Sequence, residues 1–321
     1  MAERKTSGGT WAASTPFVGA ERPAVWVQSV LYHTELASLE RSLEALARSA
    51  ELAVMEDGAC SRVAVRWGDC SPGRCLEDED VERLRERFGW ILDFRYTWFG
   101  RNLGSARAHN TLAEECDGDL ILIMNPDVVV TPRLLERMIE PFRRTGVGMV
   151  EAKQMPIEHP KDYDPVTGDT SWAATACAMT PAAVFRELGG FDADSFFLYC
   201  DDVDISWRVR LLGLRVVYQP AATVMHDKRL RTDGAWQATT AERYFSAEAA
   251  LMLAHKWSRP ELVERILSSF DVDGGEDHRR AALAFRARVE AGTLPEPIDP
   301  EHRIGFFEDG FYAPHRFEVQ A

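Results

Sequence analysis

Leu120-Ile121-Leu122-Ile123-Met124-Asn125-Pro126-Asp127 is the stretch on which the fold turns. Five consecutive apolar residues bounded by polar ones read as a short strand covered on both faces, the habit of a parallel sheet wound with helices. Upstream, strand-like and helix-like runs alternate. Ala24 to Leu31 reads as a strand, and Leu36, Leu39, Leu43 and Leu46 mark one face of a helix. Valine-rich Arg62 to Trp67 reads as a second strand, Gly68-Asp69-Cys70-Ser71-Pro72 as a turn, and Val81, Leu84 and Phe88 as a helix face. Asp93 to Trp98 gives a third strand, and the loop Gly100-Arg101-Asn102-Leu103-Gly104 leads into a helix over Ser105 to Cys116. This alternation predicts an α/β domain with a mostly parallel, Rossmann-like sheet flanked by helices. Ligands of such sheets collect beyond the carboxyl ends of the strands, which singles out Tyr32, Asp69, Asn102 and the Asn125-Pro126-Asp127 step.

Downstream, Thr131-Pro132 opens a helix, Val147 to Ala152 and Ala173 to Met179 read as strands, and Pro181 to Leu188 as a short helix. Between them Gln154 to Thr170, with three prolines, is a long loop suited to a binding or lid role or to a solvated connector. The segment from Phe196 to His226 is denser in chemistry. Asp201, Asp202 and Asp204 stand at the head of a helix whose apolar positions are Val203, Trp207 and Leu211, with Gly213 placed to stop it. One aspartate suffices to cap a helix. Three within four positions repel one another, which makes more sense if a cation or a proton transfer needs them. Leu214 to Tyr218 then reads as a strand, Pro220 as its break, and Ala221 to Met225 as a second strand ending on His226. Beyond Asp227 the pattern is helical over Tyr244 to Trp257, Pro260 to Phe270 and His278 to Ala291. A proline-rich tail follows with Phe306, Phe307, Phe311 and Tyr312, suited to wrapping over the core or joining a homodimer contact.

A formal net charge of −14 over 321 residues argues against a nucleic-acid partner. It leaves room for a nucleotide, since a divalent cation can bridge acidic protein and phosphate. The six cysteines form no C-x-x-C pair, and the spacing of Cys70 and Cys75 carries only a faint zinc or disulfide signal. No apolar run approaches membrane-spanning length, and the amino terminus lacks a signal-peptide core. A cytoplasmic protein is expected, with residues 1–22 as a flexible leader.

The ordered series Gly68-Asp69-Cys70-Ser71, Asn102-Leu103-Gly104, Asn125-Pro126-Asp127, Gly189-Gly190-Phe191-Asp192, Asp201-Asp202-Val203-Asp204 and His226 resembles the family 2 glycosyltransferases, over about Val25 to His226. Within that family it is most similar to rhamnosyltransferase-like and galactofuranosyltransferase-like members. The resemblance implies a GT-A fold over residues 23–230, with a nucleotide-binding part to about 127 and an acceptor part beyond it. Residues 231–321 would then form a helical extension and tail. It further implies a UDP- or dTDP-sugar donor, Mg²⁺ or Mn²⁺, and transfer with inversion. By the same resemblance Asp127 and His226 match metal ligands, and Asp201, with Asp202 competing, matches the carboxylate that deprotonates the acceptor hydroxyl. Asp69 matches a contact to base or ribose, and Arg101, Asn102 and Arg107 lie where donor contacts are expected. Asn125 departs from the family's Asp-Xaa-Asp motif as a neutral residue where its first aspartate stands, and Gly68-Asp69 stands where many members have Asp-Asn.

The chemistry suits these residue types. A metal stabilises the charge that develops on the departing nucleoside diphosphate. A positioned carboxylate activates an otherwise poor hydroxyl nucleophile, typically on the order of 10²- to 10⁴-fold. Polysaccharide, lipid-linked and small-molecule acceptors all fit, and peripheral work at the inner membrane face is compatible with the absence of a span. The alternatives are a noncatalytic glycan- or nucleotide-binding relative, for which Asn125 speaks, and a nucleotidyltransferase. The latter lacks its glycine-rich phosphate loop after the first strand, and no G-x-G-x-x-G supports a dinucleotide enzyme.

Overall fold

In the computed structural model, which describes residues 21–226, 239–308 and 311–316, one sheet organises the chain. Its strands are β1 (Ala24–Leu31), β2 (Arg62–Asp69), β3 (Leu92–Trp98), β4 (Leu120–Met124), β5 (Val128–Val130), β6 (Val147–Met155), β7 (Cys177–Pro181) and β8 (Arg215–His226). They lie in the order β3-β2-β1-β4-β7-β6-β8-β5. The first four are parallel, as the alternation requires, and all five residues of β4 are buried.

The second half corrects the expectation of a mostly parallel sheet. Strand β7 runs antiparallel between β4 and β6, and β5 runs antiparallel to β8, so the sheet is mixed. Nor does Pro220 divide the last strand. β8 is continuous, and its register against β6 jumps from Ala152↔Gln219 to Lys153↔Thr223. Residues 220–222 are left out of the β6 register as a bulge, which accommodates a residue with no N–H to donate.

Helices α1 (Leu36–Glu51), α2 (Asp78–Phe88) and α4 (Leu134–Ile139) cover one face with Leu39, Leu43, Leu84 and Met138, all fully buried. The other face is covered by α3 (Gly104–Ala113), α5 (Ala182–Glu187) and α6 (Asp201–Leu211). The carboxyl-terminal helices α7 (Thr240–Lys256), α8 (Pro260–Val272) and α9 (Glu276–Ala291) share a third core with α6. Its centre is Trp207, edge-on to Trp257 at 5.0 Å and to Phe307 at 5.2 Å. The tail wraps over this core and pairs with the loop after β6, where Asp162 N–H donates to Pro314 O at 2.7 Å and Arg316 N–H to Pro160 O at 2.8 Å. The expected leader lies outside the described residues except for Glu21 and Arg22, as does the 230/231 boundary.

Candidate active site

Strand pairing brings Asp127 and His226 together. The antiparallel register of β5 on β8 sets Val128 opposite His226, so the preceding Asp127 faces the histidine, with Oδ1 3.6 Å from Nε2. Asn125 Nδ2 stands 3.4 Å from the same nitrogen. On the other side of the ring, Gln154 Oε1 accepts from Nδ1 at 2.9 Å. With the proton held on Nδ1, the Nε2 lone pair is turned toward Asp127 and Asn125, the tautomer a metal ligand needs. Gln154 is 2% exposed and was missed by sequence reasoning. Its only signal was a polar residue in phase with the buried positions Val150 and Ala152 of β6.

The donor set fits a divalent cation of the Mg²⁺ or Mn²⁺ kind. A carboxylate oxygen and an imidazole nitrogen stand close together, and such a cation would take its remaining ligands from diphosphate and water. Among the described residues no group of three His, Cys, Asp or Glu side chains gathers to hold an ion.

The three aspartates of α6 divide between two tasks. Asp204 is fully buried and structural. Its carboxylate accepts from Arg208 Nε at 2.7 Å and from Trp257 Nε1 at 3.2 Å, and pairs with Lys256 Nζ at 2.8 Å. Asp201 is buried too, yet its Oδ2 has no hydrogen-bond partner among the described residues. Asp202 is half-buried, and its Oδ1 accepts the N–H of Val203 at 2.8 Å.

Burial pushes the Asp201 carboxyl well above the usual range, against hydrogen bonds from Ser105 and from backbone. Asp202 is pushed up by burial and then by the Asp201 charge, with Lys161 pulling it down. Adjacent carboxylates of this kind release their protons as a pair. The turn that presents them is strained. Tyr199 and Cys200, both non-glycine, have φ of 67° and 54°, a conformation costing about 1–2 kcal/mol each. Such outliers cluster where a surrounding fold holds a functional geometry.

One backbone segment joins the Asp127 side to the Asp201 side. Asn125 N–H donates to Ala176 O at 3.0 Å, Ala173 N–H donates to Ser206 Oγ at 3.0 Å, and that hydroxyl donates to Asp202 O at 2.6 Å. The loop before α3 closes in as well, because Ser105 N–H donates to Phe197 O at 2.9 Å.

On the nucleotide side, one residue departs from expectation. Asp69 has no exposed surface. It accepts from Ser71 N–H at 2.9 Å, Cys75 N–H at 2.7 Å and the Tyr96 hydroxyl, so it clamps the loop after β2 instead of offering oxygens to a base. Burial raises its carboxyl, but Tyr96, Cys75 and Ser71 outweigh burial and hold it below the usual range. Arg107 pairs with Asp194, with Nη2 2.7 Å from Oδ1.

Tyr32 is half exposed just beyond β1. Trp98, at the end of β3, is 43% exposed and donates from Nε1 to Ser71 O at 2.9 Å; sequence reasoning used it only to end a strand. Arg101 and Asn102 are exposed, and Asn102 Oδ1 accepts the Gly104 N–H at 3.0 Å. All six cysteines are free thiols, so Cys70 and Cys75 form no disulfide.

Residues 75–199 match the family model described as glycosyl transferase family 2. The chain is 26% identical over 176 residues to the N-acetylglucosaminyl-diphospho-decaprenol L-rhamnosyltransferase of Mycobacterium tuberculosis, covering 40% of this chain and 57% of that protein. It is 34% identical over 55 residues to rhamnosyltransferase WbbL of Escherichia coli K12, covering 17% of this chain and 20% of that protein. The match thus spans little more than half the length of the first relative and less of the second. Among solved structures, the mannosyltransferase PcManGT from Pyrobaculum calidifontis, in complex with GDP-Man and Mn²⁺, superposes with TM-score 0.52 at 18% identity, covering 88% of this chain and 84% of that one. GalNAc-T7 with UDP, GalNAc and Mn²⁺ gives 0.55 at 12% identity, covering 86% and 59%. The fold is GT-A.

Proposed function

We propose, on the premise that this chain is a family 2 glycosyltransferase, that it transfers a sugar from a UDP- or dTDP-sugar to an acceptor hydroxyl with inversion, assisted by Mg²⁺ or Mn²⁺. Two features of the chain support this reading. Asp127 Oδ1 and His226 Nε2 stand 3.6 Å apart, and Asp201 keeps a buried oxygen with no partner among the described residues. In this reading Asp127 and His226 would hold the cation, and the chemistry it would supply is charge stabilisation of the departing diphosphate. Asp201, or Asp202 beside it, takes the proton of the attacking hydroxyl. The raised pair suits that task, because a base works best with a proton affinity near the working pH. Tyr32, Arg101 and Asn102 line the donor side, and Trp98 joins them.

The rhamnosyltransferase relatives favour dTDP-rhamnose as donor and a lipid-linked glycan as acceptor, reached from the cytoplasmic face of the membrane. Among the described residues no helix is long and apolar enough to cross a membrane. The test is a panel of nucleotide sugars with Mn²⁺ or Mg²⁺ and glycan and lipid-linked acceptors. Nucleoside diphosphate release is followed, and the anomeric configuration of the product is read by NMR. Inverted product whose formation stops in Asp201→Asn or Asp202→Asn is expected. Turnover at the parent rate in both variants would overturn the base assignment. Asn125, whose amide leaves the site with one carboxylate at the cation, favours a noncatalytic relative as the second reading. Donor binding without release across the panel would establish it.

A further inference from the structure

Neither side chain of the Gly68-Asp69 step is available to read a nucleobase. Gly68 has none, and one would collide with Phe99, whose ring lies 2.6 Å from where a Cβ would stand. The Asp69 carboxylate is engaged by the N–H groups of Ser71 and Cys75 and by the Tyr96 hydroxyl, with the Cys75 thiol 3.5 Å away. The backbone donors around it are engaged as well. Cys70 N–H donates to Leu31 O at 2.9 Å, Phe99 N–H to Asp69 O at 2.8 Å and His33 N–H to Ser71 Oγ at 2.8 Å, while Tyr32 N–H donates to Thr34 Oγ1 at 3.3 Å.

What the carboxyl edge of β1, β2 and β3 leaves open is aromatic surface. Register places Leu31 and Trp98 on either side of Asp69, so Tyr32 and Trp98, both well exposed, flank the turn after β2. The Trp98 indole is not free to swing. Its Nε1–H donates to Ser71 O at 2.9 Å, and the next residue, Phe99, is bonded to β2 and seated against Gly68. A Cβ at Gly100, whose φ is 68°, would lie 3.9 Å from the indole ring. Indole has one polar atom, a donor. With that donor directed at Ser71, the exposed part of the ring offers a flat π face.

We propose that Trp98 is the platform on which the donor's nucleobase stacks, and that this chain selects its donor with little regard to the base. That a nucleotide binds at this edge rests on the proposed function and on the habit of parallel strands to gather ligands beyond their carboxyl ends. Every base has a π face, so stacking tolerates the exchange of one base for another. Strong discrimination, on the order of 10⁴-fold, belongs to sites built to hydrogen-bond a particular polar group. Here the groups placed to do so are bonded within the protein.

Binding to the full chain with Mn²⁺ tests this without turnover. Calorimetry with UDP, dTDP, GDP and 3-methyl-UDP, whose N3 has no proton to donate, should give dissociation constants within about tenfold of one another. Trp98→Ala and Trp98→Leu should weaken all four by about 5- to 150-fold, the equivalent of about 1–3 kcal/mol for one stacked base. Trp98→Phe keeps a ring and should recover most of the loss. In proton NMR the base protons of bound UDP and GDP should move upfield in the parent, under the indole ring current, and the shift should vanish in Trp98→Leu at saturating nucleotide. A substitution that merely disturbed the turn would weaken binding and leave the bound base protons shifted.

Rejection of 3-methyl-UDP or GDP by about a hundredfold or more marks hydrogen-bonded reading of the base and overturns the proposal. An upfield shift that persists in both Trp98→Ala and Trp98→Leu overturns it too. Should none of the nucleotides bind the parent, the proposed function falls together with it. Should all bind alike while no sugar is transferred, the noncatalytic reading gains and the stacking assignment stands.

Discussion

Replacing Asp204 separates the structural aspartate from its two neighbours. Asp204→Ala removes the acceptor of Arg208 Nε, Lys256 Nζ and Trp257 Nε1 at a site with no exposed surface. Two of the three donors keep company. Arg208 still donates to Leu188 O and Gly190 O, each at 2.9 Å, and Lys256 keeps Asp192 at 2.6 Å. The Trp257 indole is left bare. Breaking a buried ion pair by removing one partner costs about 3–5 kcal/mol, and the retained contacts place this case at the low end. About 3 kcal/mol, at roughly 2–4 °C per kcal/mol for chains of a few hundred residues, lowers the melting temperature by roughly 6–12 °C. Calorimetry and urea unfolding measure it, while nucleoside diphosphate release is followed well below the transition on protein shown by circular dichroism to be folded. Release should persist there. Should Asp204→Ala melt within about 1 °C of the parent and release nothing, Asp204 belongs with the reacting groups and the division argued above is wrong.

Gln154→Leu frees the His226 ring from its orienting acceptor and should weaken Mn²⁺ binding by about 10–100-fold, read by electron paramagnetic resonance with UDP or dTDP present. Unchanged affinity would show that Gln154 does not set the tautomer. The raised carboxyls of Asp201 and Asp202 make the folded state bind more protons than the unfolded chain. Their contribution is therefore present at low pH and is lost as pH climbs from the ordinary carboxylate range through the raised folded values. Asp201→Asn should accordingly raise the melting temperature more at pH 8 than at pH 5, and an equal gain at both would contradict the shift. At Gly104, with φ of 73°, a Cβ would lie 2.4 Å from Phe197 O and 2.7 Å from its ring. Gly104→Ala should thus cost at least about 2 kcal/mol in urea unfolding, from left-handed backbone plus overpacking. Gly213→Ala, with φ of 79° and open space around it, should lose only the backbone part.

Much of the framework is legible in the chain because it is local. Period-two and period-3.6 patterns mark strands and helices, and the apolar run of β4 marks a strand buried on both faces. The rule that ligands gather beyond strand ends pointed to Asp127, and the reading of a final strand ending on His226 supplied its partner. Periodicity does not report which distant strands pair, or in which direction. The antiparallel insertion of β7 between β4 and β6, and the register that seats Asp127 against His226, follow from long-range hydrogen bonding that no short window contains.

The site's electrostatics were equally hidden. Asp201, Asp202 and Asp204 look alike in sequence, and only packing makes one the buried partner of Lys256 and Trp257 while leaving another with an oxygen that has no partner among the described residues. Asp69 ends its strand where a ligand contact is expected, but the loop that follows folds back and consumes its oxygens. Gln154 gains its meaning from a side chain 72 residues away. Sequence by itself determined the layers and the reactive residue types. Tertiary structure alone decided which carboxylates are neutralised and which stay available, because charge and burial depend on neighbours in space rather than along the chain.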